Sequence, residues 1–165
     1  MNQIELKQNQ LILKEKRGAL IARLFIYLLT IFTITLPLGG LIANVLHGEM
    51  TIISIAIYAI FGLIAFYMLR VSLWNTYGAE IIHFQTKKIN YTADYRWFKD
   101  NLKEFDFDKI GFMIEKIGYE EDNKGILVIK FDEKEVLETV SKFPLADLET
   151  LVITLKELYS HQTLE

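Results

Sequence analysis

Hydrophobic residues are concentrated in one part of the chain, residues 19–69, where the only charged residues are Arg23 and Glu49. This stretch contains two uncharged runs, residues 24–45 and 51–69. A helix rises about 1.5 Å per residue and the hydrocarbon core of a bilayer is about 30 Å thick, so roughly 20 apolar residues cross it. The pattern therefore predicts an integral membrane protein with a transmembrane hairpin of two helices.

The positive charges lie outside the two apolar runs. Lys and Arg precede the first run and follow the second, whereas the connection at residues 44–50 contains neither. The positive-inside rule then places both termini in the cytoplasm and the connection outside. Long cationic and amphipathic aromatic side chains prefer the headgroup region, so Arg23, Arg70, Trp74 and Tyr77 are predicted to be interfacial anchors. Membrane lipids are thus predicted partners of the hairpin.

After Arg70 the composition becomes that of a water-soluble domain, in which short apolar and polar positions alternate. Alternation with a period of two is the mark of strands, and polar turns separate the alternating segments. The strands are predicted at residues 80–84, 89–95, 103–107, 111–117, 126–131 and 135–140. The apolar spacing then changes to three and four, which predicts an amphipathic helix from about residue 145 to residue 160.

The start of the chain is more ambiguous. Residues 3–7 alternate and residues 11–13 are apolar, a pattern that suits short strands as well as a fraying helix. This arm either pairs with the sheet of the C-terminal domain or extends the first membrane helix, and both alternatives stay open. The predicted organisation is an N-terminal cytoplasmic arm (1–18), the transmembrane hairpin (19–70) and a cytoplasmic domain (71–165).

Three short motifs carry a resemblance to a known family: LWNTYG at residues 73–78, EII at 80–82 and FDKI at 107–110. With them, the chain resembles small bacterial membrane proteins in which two N-terminal spans precede a pleckstrin-homology-like domain. The resemblance implies an antiparallel barrel capped by the C-terminal helix, in a bacterial inner membrane. Such a barrel usually has seven strands and we count six. The arm or residues 95–98 supply the seventh, or the barrel is incomplete.

The sequence contains no pattern typical of catalysis or metal binding. It has no cysteine, its three histidines lie far apart, and no Gly-rich loop is placed to hold a phosphate. We therefore predict no enzyme, no cofactor and no metal site. The part after residue 70 holds 12 Lys and Arg against 18 Asp and Glu, a net charge of −6. A nucleic acid partner is not expected, because binding phosphates requires a cationic surface.

Five residues of the C-terminal domain are candidates for contact with a lipid headgroup or a partner. Lys87 and Lys88 lie in its first turn, where the resemblance implies phosphate contacts in lipid-binding members of the wider fold, although plain turn solubility explains them more simply. Tyr91, Tyr95 and Trp97, together with Phe98, form either part of the core or an exposed binding patch.

Two functions remain under consideration. The first is a membrane-anchored, non-catalytic interaction module, such as a scaffold, assembly or immunity-type factor, that binds a protein partner with a basic surface at the inner membrane. The alternative is lipid sensing or lipid binding by the pleckstrin-homology-like domain. A homo-oligomer is also possible, because the small residues Gly39, Gly40 and Ala43 allow close helix packing.

Overall fold

The computed structural model describes residues 3–119, 122–132 and 135–159. The chain divides into two compact units, Met1–Lys16 with Gly78–Glu165, and Arg17–Tyr77. We call the first unit the β domain and the second the helical hairpin. Two long apolar helices and an antiparallel sheet region with a C-terminal helix are present, which confirms the predicted combination of a helical hairpin with a β domain.

The elements follow one another in a simple order. The helices are α1 (Leu20–His47), α2 (Ile52–Tyr77) and α3 (Leu145–Leu158). The strands are β1 (Ile4–Lys7), β2 (Gln10–Lys14), β3 (Ala79–Phe84), β4 (Lys88–Asp94), β5 (Lys99–Asp106), β6 (Ile110–Lys116), β7 (Lys124–Phe131), β8 (Glu135–Glu138) and β9 (Phe143–Pro144). Strands β3 to β8 overlap the six segments that the alternation predicted.

The N-terminal arm belongs to the sheet of the β domain. The first sheet is antiparallel with the order β1-β2-β3-β4-β5, and Leu11 and Leu13 of β2 lie opposite Ile82 and Glu80 of β3. Both leucines are fully buried. Burial of this apolar pair explains why the arm forms strands, since a fraying helix would leave part of it in water. The hairpin is therefore inserted in the sequence between two neighbouring strands, β2 and β3.

The second sheet has the order β6-β7-β8, and β9 also pairs with β7. The core contains side chains from both sheets and from α3. Residues 95–98, the other candidate source of a seventh strand, form a turn between β4 and β5. In that turn the Tyr95 N–H donates to the Phe98 carbonyl at 3.0 Å, and Arg96 has a φ of 73°.

The two helices of the hairpin are long and apolar enough to cross a membrane. Only 6% of the most apolar 18-residue window of each helix is buried. A core helix of a soluble protein would be mostly buried, so this exposure favours a lipid environment. Helix α2 continues eight residues beyond the apolar run that ends at residue 69 and ends at Tyr77. Helix α1 continues through Pro37.

A tight turn joins the two helices, and both of its sides are hydrogen-bonded. Gly48 adopts a left-handed conformation with a φ of 67°, its N–H donates to Val45 O, and the Glu49 N–H donates to Asn44 O at 2.9 Å. This is the Schellman arrangement that satisfies the last carbonyls of a helix. At the start of α2, the Ser54 N–H donates to Thr51 Oγ1 and the Thr51 N–H donates to Ser54 Oγ.

Pairs of polar side chains join α1 to α2. The hydroxyls of Thr30 and Ser72 lie 2.8 Å apart. The Tyr27 hydroxyl donates to Thr76 Oγ1 at 3.1 Å, and Asn44 Nδ2 donates to the Tyr58 hydroxyl at 3.0 Å. Polar side chains thus hold the two helices together near both ends of the hairpin.

Candidate functional site

A groove in the β domain lies between the first strand and the last helix. Its volume is about 430 Å³. Strand β1 and the residue before it line one side, and one face of α3 lines the other. The lining residues are Gln3, Ile4, Leu6, Asp147, Thr150, Leu151 and Thr154. The volume lies within the range of roughly 300–1,000 Å³ that is typical of ligand pockets.

The side chains that line the groove are brought to it by the period of two in strand β1 and by the spacing of three and four in helix α3. Ile4 and Leu6 alternate along β1, and both pack against the core as partly buried side chains. On α3, Asp147, Leu151 and Thr154 recur at spacings of four and three and so share one face of the helix. Each element therefore presents its residues on one side, and the groove combines an apolar strand with a helix face that carries hydroxyls and one carboxylate.

Lys87 and Lys88, the candidate headgroup residues, are both engaged in ion pairs. Lys87 Nζ lies 2.7 Å from Asp108 Oδ1, and Lys88 Nζ lies 2.6 Å from Glu104 Oε2. The hydrogen bond to the neighbouring carboxylate raises the pKa of each lysine. A lipid phosphate at this turn would have to compete with these carboxylates.

The aromatic cluster is divided between the core and the surface. Tyr91 and Tyr95 are buried, and the Tyr95 ring stacks on Phe98 with their centroids 4.7 Å apart. Trp97 lies in the turn after β4 and is 71% exposed. The structure therefore does not bring Tyr91, Tyr95 and Trp97 together on one exposed patch.

The predicted interfacial anchors all belong to the helical hairpin. Arg23 lies in the first turn of α1, and Arg70, Trp74 and Tyr77 lie in the last turns of α2. Arg23, Arg70 and Trp74 are half-buried and Tyr77 is exposed. Their role as interfacial anchors at these helix ends stays a prediction.

A buried carboxylate is the feature that the sequence analysis missed. Glu80 of β3 is fully buried and accepts hydrogen bonds from three donors. The Tyr91 hydroxyl donates to Oε2 at 2.8 Å, the Val140 N–H donates to both oxygens, and the Ser141 N–H donates to Oε1 at 2.7 Å. Because Val140 and Ser141 follow β8, this carboxylate links the first sheet to the segment that leaves the second sheet.

The surroundings of Glu80 also affect Tyr91. Burial raises the pKa of the Tyr91 hydroxyl well above its ordinary value, and the charge of Glu80 raises it further. The phenol therefore stays protonated and remains a donor to Glu80 over the ordinary pH range. Alternation places Glu80 on the same face of β3 as Ile82 and Phe84, but the sequence does not show which donors satisfy a carboxylate on that face.

A second, smaller groove lies on the helical hairpin. Its volume is about 220 Å³ and its lining is apolar apart from the hydroxyls of Thr33 and Tyr58. Pro37 of α1 and Gly62 of α2 are among its lining residues. A Cβ added to Gly62 would meet no atom within 4 Å.

The histidines do not form a site in the described part of the chain. His47 is the last residue of α1, His83 is exposed in β3, and His161 lies outside the described residues. Over residues 3–119, 122–132 and 135–159, no group of three or more His, Asp or Glu side chains is placed to hold a metal ion.

Comparison of the chain with protein-family models and with curated proteins finds no match. The resemblance to two-span proteins with a pleckstrin-homology-like domain therefore stays a prediction. What the structure adds to the candidate residues is the groove, whose two sides come from opposite ends of the β domain's sequence.

Proposed function

We propose that the protein is a membrane-anchored interaction module, such as a scaffold, assembly or immunity-type factor, whose β domain binds a protein partner. The observation that carries the proposal is the groove between β1 and α3. It combines the edge strand of the first sheet with a helix face, and these are two surfaces that recur in peptide recognition. No catalytic role is included in the proposal.

The proposal also includes an arrangement in the cell. Both helices of the hairpin cross a bacterial inner membrane, and the charges around them place both termini, and with them the β domain, in the cytoplasm. The β domain is of the pleckstrin-homology-like type. The observed order of two antiparallel sheets followed by a C-terminal helix supports this assignment.

The test is an affinity purification of the full-length protein from its native membranes in mild detergent, read by mass spectrometry for proteins and lipids. We expect one stoichiometric protein partner. A matched pair of variants, Thr150→Trp and Ile153→Trp, adds the same large side chain to exposed positions of α3. Only Thr150 lines the groove, so only Thr150→Trp should release the partner. A protein that recovers no partner above background would overturn the proposal.

Lipid binding is the second candidate function, and the ion pairs of Lys87 and Lys88 weigh against it at this turn. The same purification tests it directly. If the full-length protein carries one enriched lipid class, and Lys87→Glu with Lys88→Glu removes that lipid, the function is lipid binding. If both variants carry the same lipids as the unmodified protein, these lysines do not bind a headgroup.

A further inference from the structure

The outer edge of β1 has backbone groups that point away from its partner strand. Strand β1 lies at the end of the first sheet. The Lys14 N–H donates to the Gln3 carbonyl at 2.8 Å, which identifies Gln3 and Lys14 as a hydrogen-bonded pair. Hydrogen-bonded and non-hydrogen-bonded pairs alternate in antiparallel strands. The N–H and C=O groups of Ile4 and Leu6 are therefore directed away from β2. They lie at an edge with which no other strand of the described residues pairs, and we call it the open edge.

The open edge and the groove coincide. Ile4 and Leu6, whose backbone groups point outward, also line the groove beside α3. A strand added to this edge would continue the sheet at the usual spacing of roughly 4.8 Å. Every second side chain of that strand would then face Leu151 and the two threonines of α3. The groove thus has the components that β-strand addition uses, which are main-chain pairing for affinity and a side-chain pocket for selectivity.

Charge determines the chemistry of the occupant. Among the groove residues that the structure describes, only Asp147 is charged, and it is exposed in the first turn of α3. The two sequence segments of the β domain, residues 1–16 and 78–165, hold 15 Lys and Arg against 20 Asp and Glu, a net charge of −5. An acidic groove in an acidic domain favours a basic segment, through both the local contact and the long-range field.

We propose that the groove between β1 and α3 binds an extended segment of another membrane protein, one that adds to the edge of β1 as a further strand and directs a Lys or Arg to Asp147. This inference rests on the proposed function, in which the hairpin holds the β domain at the cytoplasmic surface of a membrane. Segments next to the cytoplasmic ends of transmembrane helices carry an excess of Lys and Arg, so such segments are the matching class of partner.

The experiment uses site-specific photo-crosslinking of the full-length protein in its native membranes. An aliphatic diazirine amino acid, whose side chain is close to leucine in size and so leaves the groove open, replaces Thr150 in the groove or, as a matched control, Ile153 on another face of α3. Mass spectrometry then identifies the crosslinked peptides. We expect the Thr150 position to give crosslinks to a Lys- or Arg-containing segment that flanks a transmembrane helix of one protein, and the Ile153 position to give none.

Two charge-reversal variants distinguish a local contact in the groove from the long-range effect of the net charge of the β domain. Asp147→Lys and Glu149→Lys change the net charge equally and alter exposed carboxylates of the same helix, but only Asp147 lines the groove. We expect Asp147→Lys to reduce the crosslink yield from position 150 about ten-fold, because like charges would face each other. Glu149→Lys should reduce it less than two-fold. Equal losses would overturn the assigned contact.

A further variant tests the main-chain hydrogen bonds that an added strand would make with β1. Leu6→Pro removes an N–H that points to the open edge, whereas Pro is tolerated on edge strands. It should lower the crosslink yield about five-fold, in line with one lost main-chain hydrogen bond. If Leu6→Pro does not fold, the charge reversals still decide the inference.

The outcomes distinguish this inference from the proposed function. Crosslinks from position 150 to a second copy of this chain, to a segment without Lys or Arg, or to a soluble protein would overturn the basic membrane-protein segment and leave a protein-binding module in place. An absence of protein crosslinks from position 150, together with the absence of a co-purified partner, would overturn both.

Discussion

The β domain and the helical hairpin distribute their side chains in opposite ways. In the β domain the large apolar side chains are buried and most charged ones are exposed. In the hairpin, large apolar side chains such as Ile21 and Ile52 are exposed, whereas Thr30 and Ser72 are buried against each other. The β domain thus buries its apolar side chains, as a protein in water does, whereas the helical hairpin exposes them and buries polar ones.

This difference shows how each unit satisfies its polar groups. In the β domain the buried carboxylate of Glu80 accepts hydrogen bonds from Tyr91 in the first sheet and from the backbone of residues 140 and 141 after the second. In the hairpin, pairs of neutral hydroxyl and amide groups join the helices and no charged group is involved in these pairs. Neutral groups suit a lipid environment, because an ion has no water there to compensate its charge.

The largest difference between the two units is expected when an exposed isoleucine of each is replaced by a charged residue. Ile60 of α2 is 57% exposed and Ile153 of α3 is 59% exposed, so the two make a matched pair. Ile60→Asp should raise the free energy of membrane insertion by about 3 kcal/mol, because Asp at the centre of a span is poorly tolerated. Ile153→Asp should change stability by less than about 0.5 kcal/mol, as surface substitutions do.

The measurement is the fraction of full-length protein that stays in the membrane after alkaline extraction. We expect Ile60→Asp to lower this fraction strongly and Ile153→Asp to leave it unchanged. If both variants remain in the membrane equally, the exposed face of α2 does not contact hydrocarbon, and the contrast between the two units is wrong.

The second effect concerns the buried carboxylate. Glu80→Gln removes the charge and places an NH₂ group among donors, which should cost about 2–3 kcal/mol. This corresponds to a fall in Tm of roughly 10 °C or more, measured by calorimetry of the full-length protein in detergent. Glu115→Gln, an exposed carboxylate in β6, is the control and should leave Tm unchanged. Equal Tm values for the two variants would mean that the Glu80 contacts contribute nothing.

A pair of glycines gives the third effect. A Cβ added to Gly125 of β7 would lie 2.7 Å from the Glu115 carbonyl oxygen, whereas one added to Gly39 of α1 would meet nothing within 4 Å. Gly125→Ala should therefore lower the free energy of unfolding by about 1–3 kcal/mol. Gly39→Ala should be neutral or stabilise the helix by up to about 1 kcal/mol. Calorimetry checks both, and a costly Gly39→Ala would instead indicate that a second copy packs against this glycine.

The smallest effect is expected between the helices of the hairpin. Thr30→Val and Ser72→Ala each remove one hydroxyl of a pair that lies 2.8 Å apart. Hydrogen bonds of this kind in membranes average about 0.6 kcal/mol in double-mutant cycles. A cycle of the two single variants and the double variant, measured by unfolding in mixed micelles, should give a coupling of that size. A coupling above about 2 kcal/mol would place this pair on the scale of the Glu80 contacts.

Much of the fold could be predicted from local patterns. The two apolar runs predicted α1 and α2, and the change of period predicted α3. Alternation predicted β3 to β8, with β5 beginning four residues earlier than expected, at Lys99. Gly118 and Asn123 have a positive φ in the connection before β7, and β7 begins at Lys124, two residues earlier than expected.

The candidate site was less predictable. Lys87 lies in the turn before β4, as the sequence indicated, whereas Lys88, which was predicted in the same turn, is the first residue of β4. The ion-pair partner of neither lysine was visible in the sequence. Asp108 is 21 residues from Lys87, and Glu104 is 16 residues from Lys88. Strand register brings such residues together, and register depends on the pairing of whole strands rather than on any local pattern.

The sequence by itself determined the elements that arise from local spacing and from length: two apolar helices, alternating strands and an amphipathic helix at the end. The tertiary structure decided where the N-terminal arm lies, which donors surround Glu80, and that β1 and α3 form the two sides of one groove. The reason is physical. Periodicity reports which face of an element avoids water, whereas the neighbour that covers this face is selected by packing in a core whose members lie far apart in the chain, such as Leu11 and Leu155.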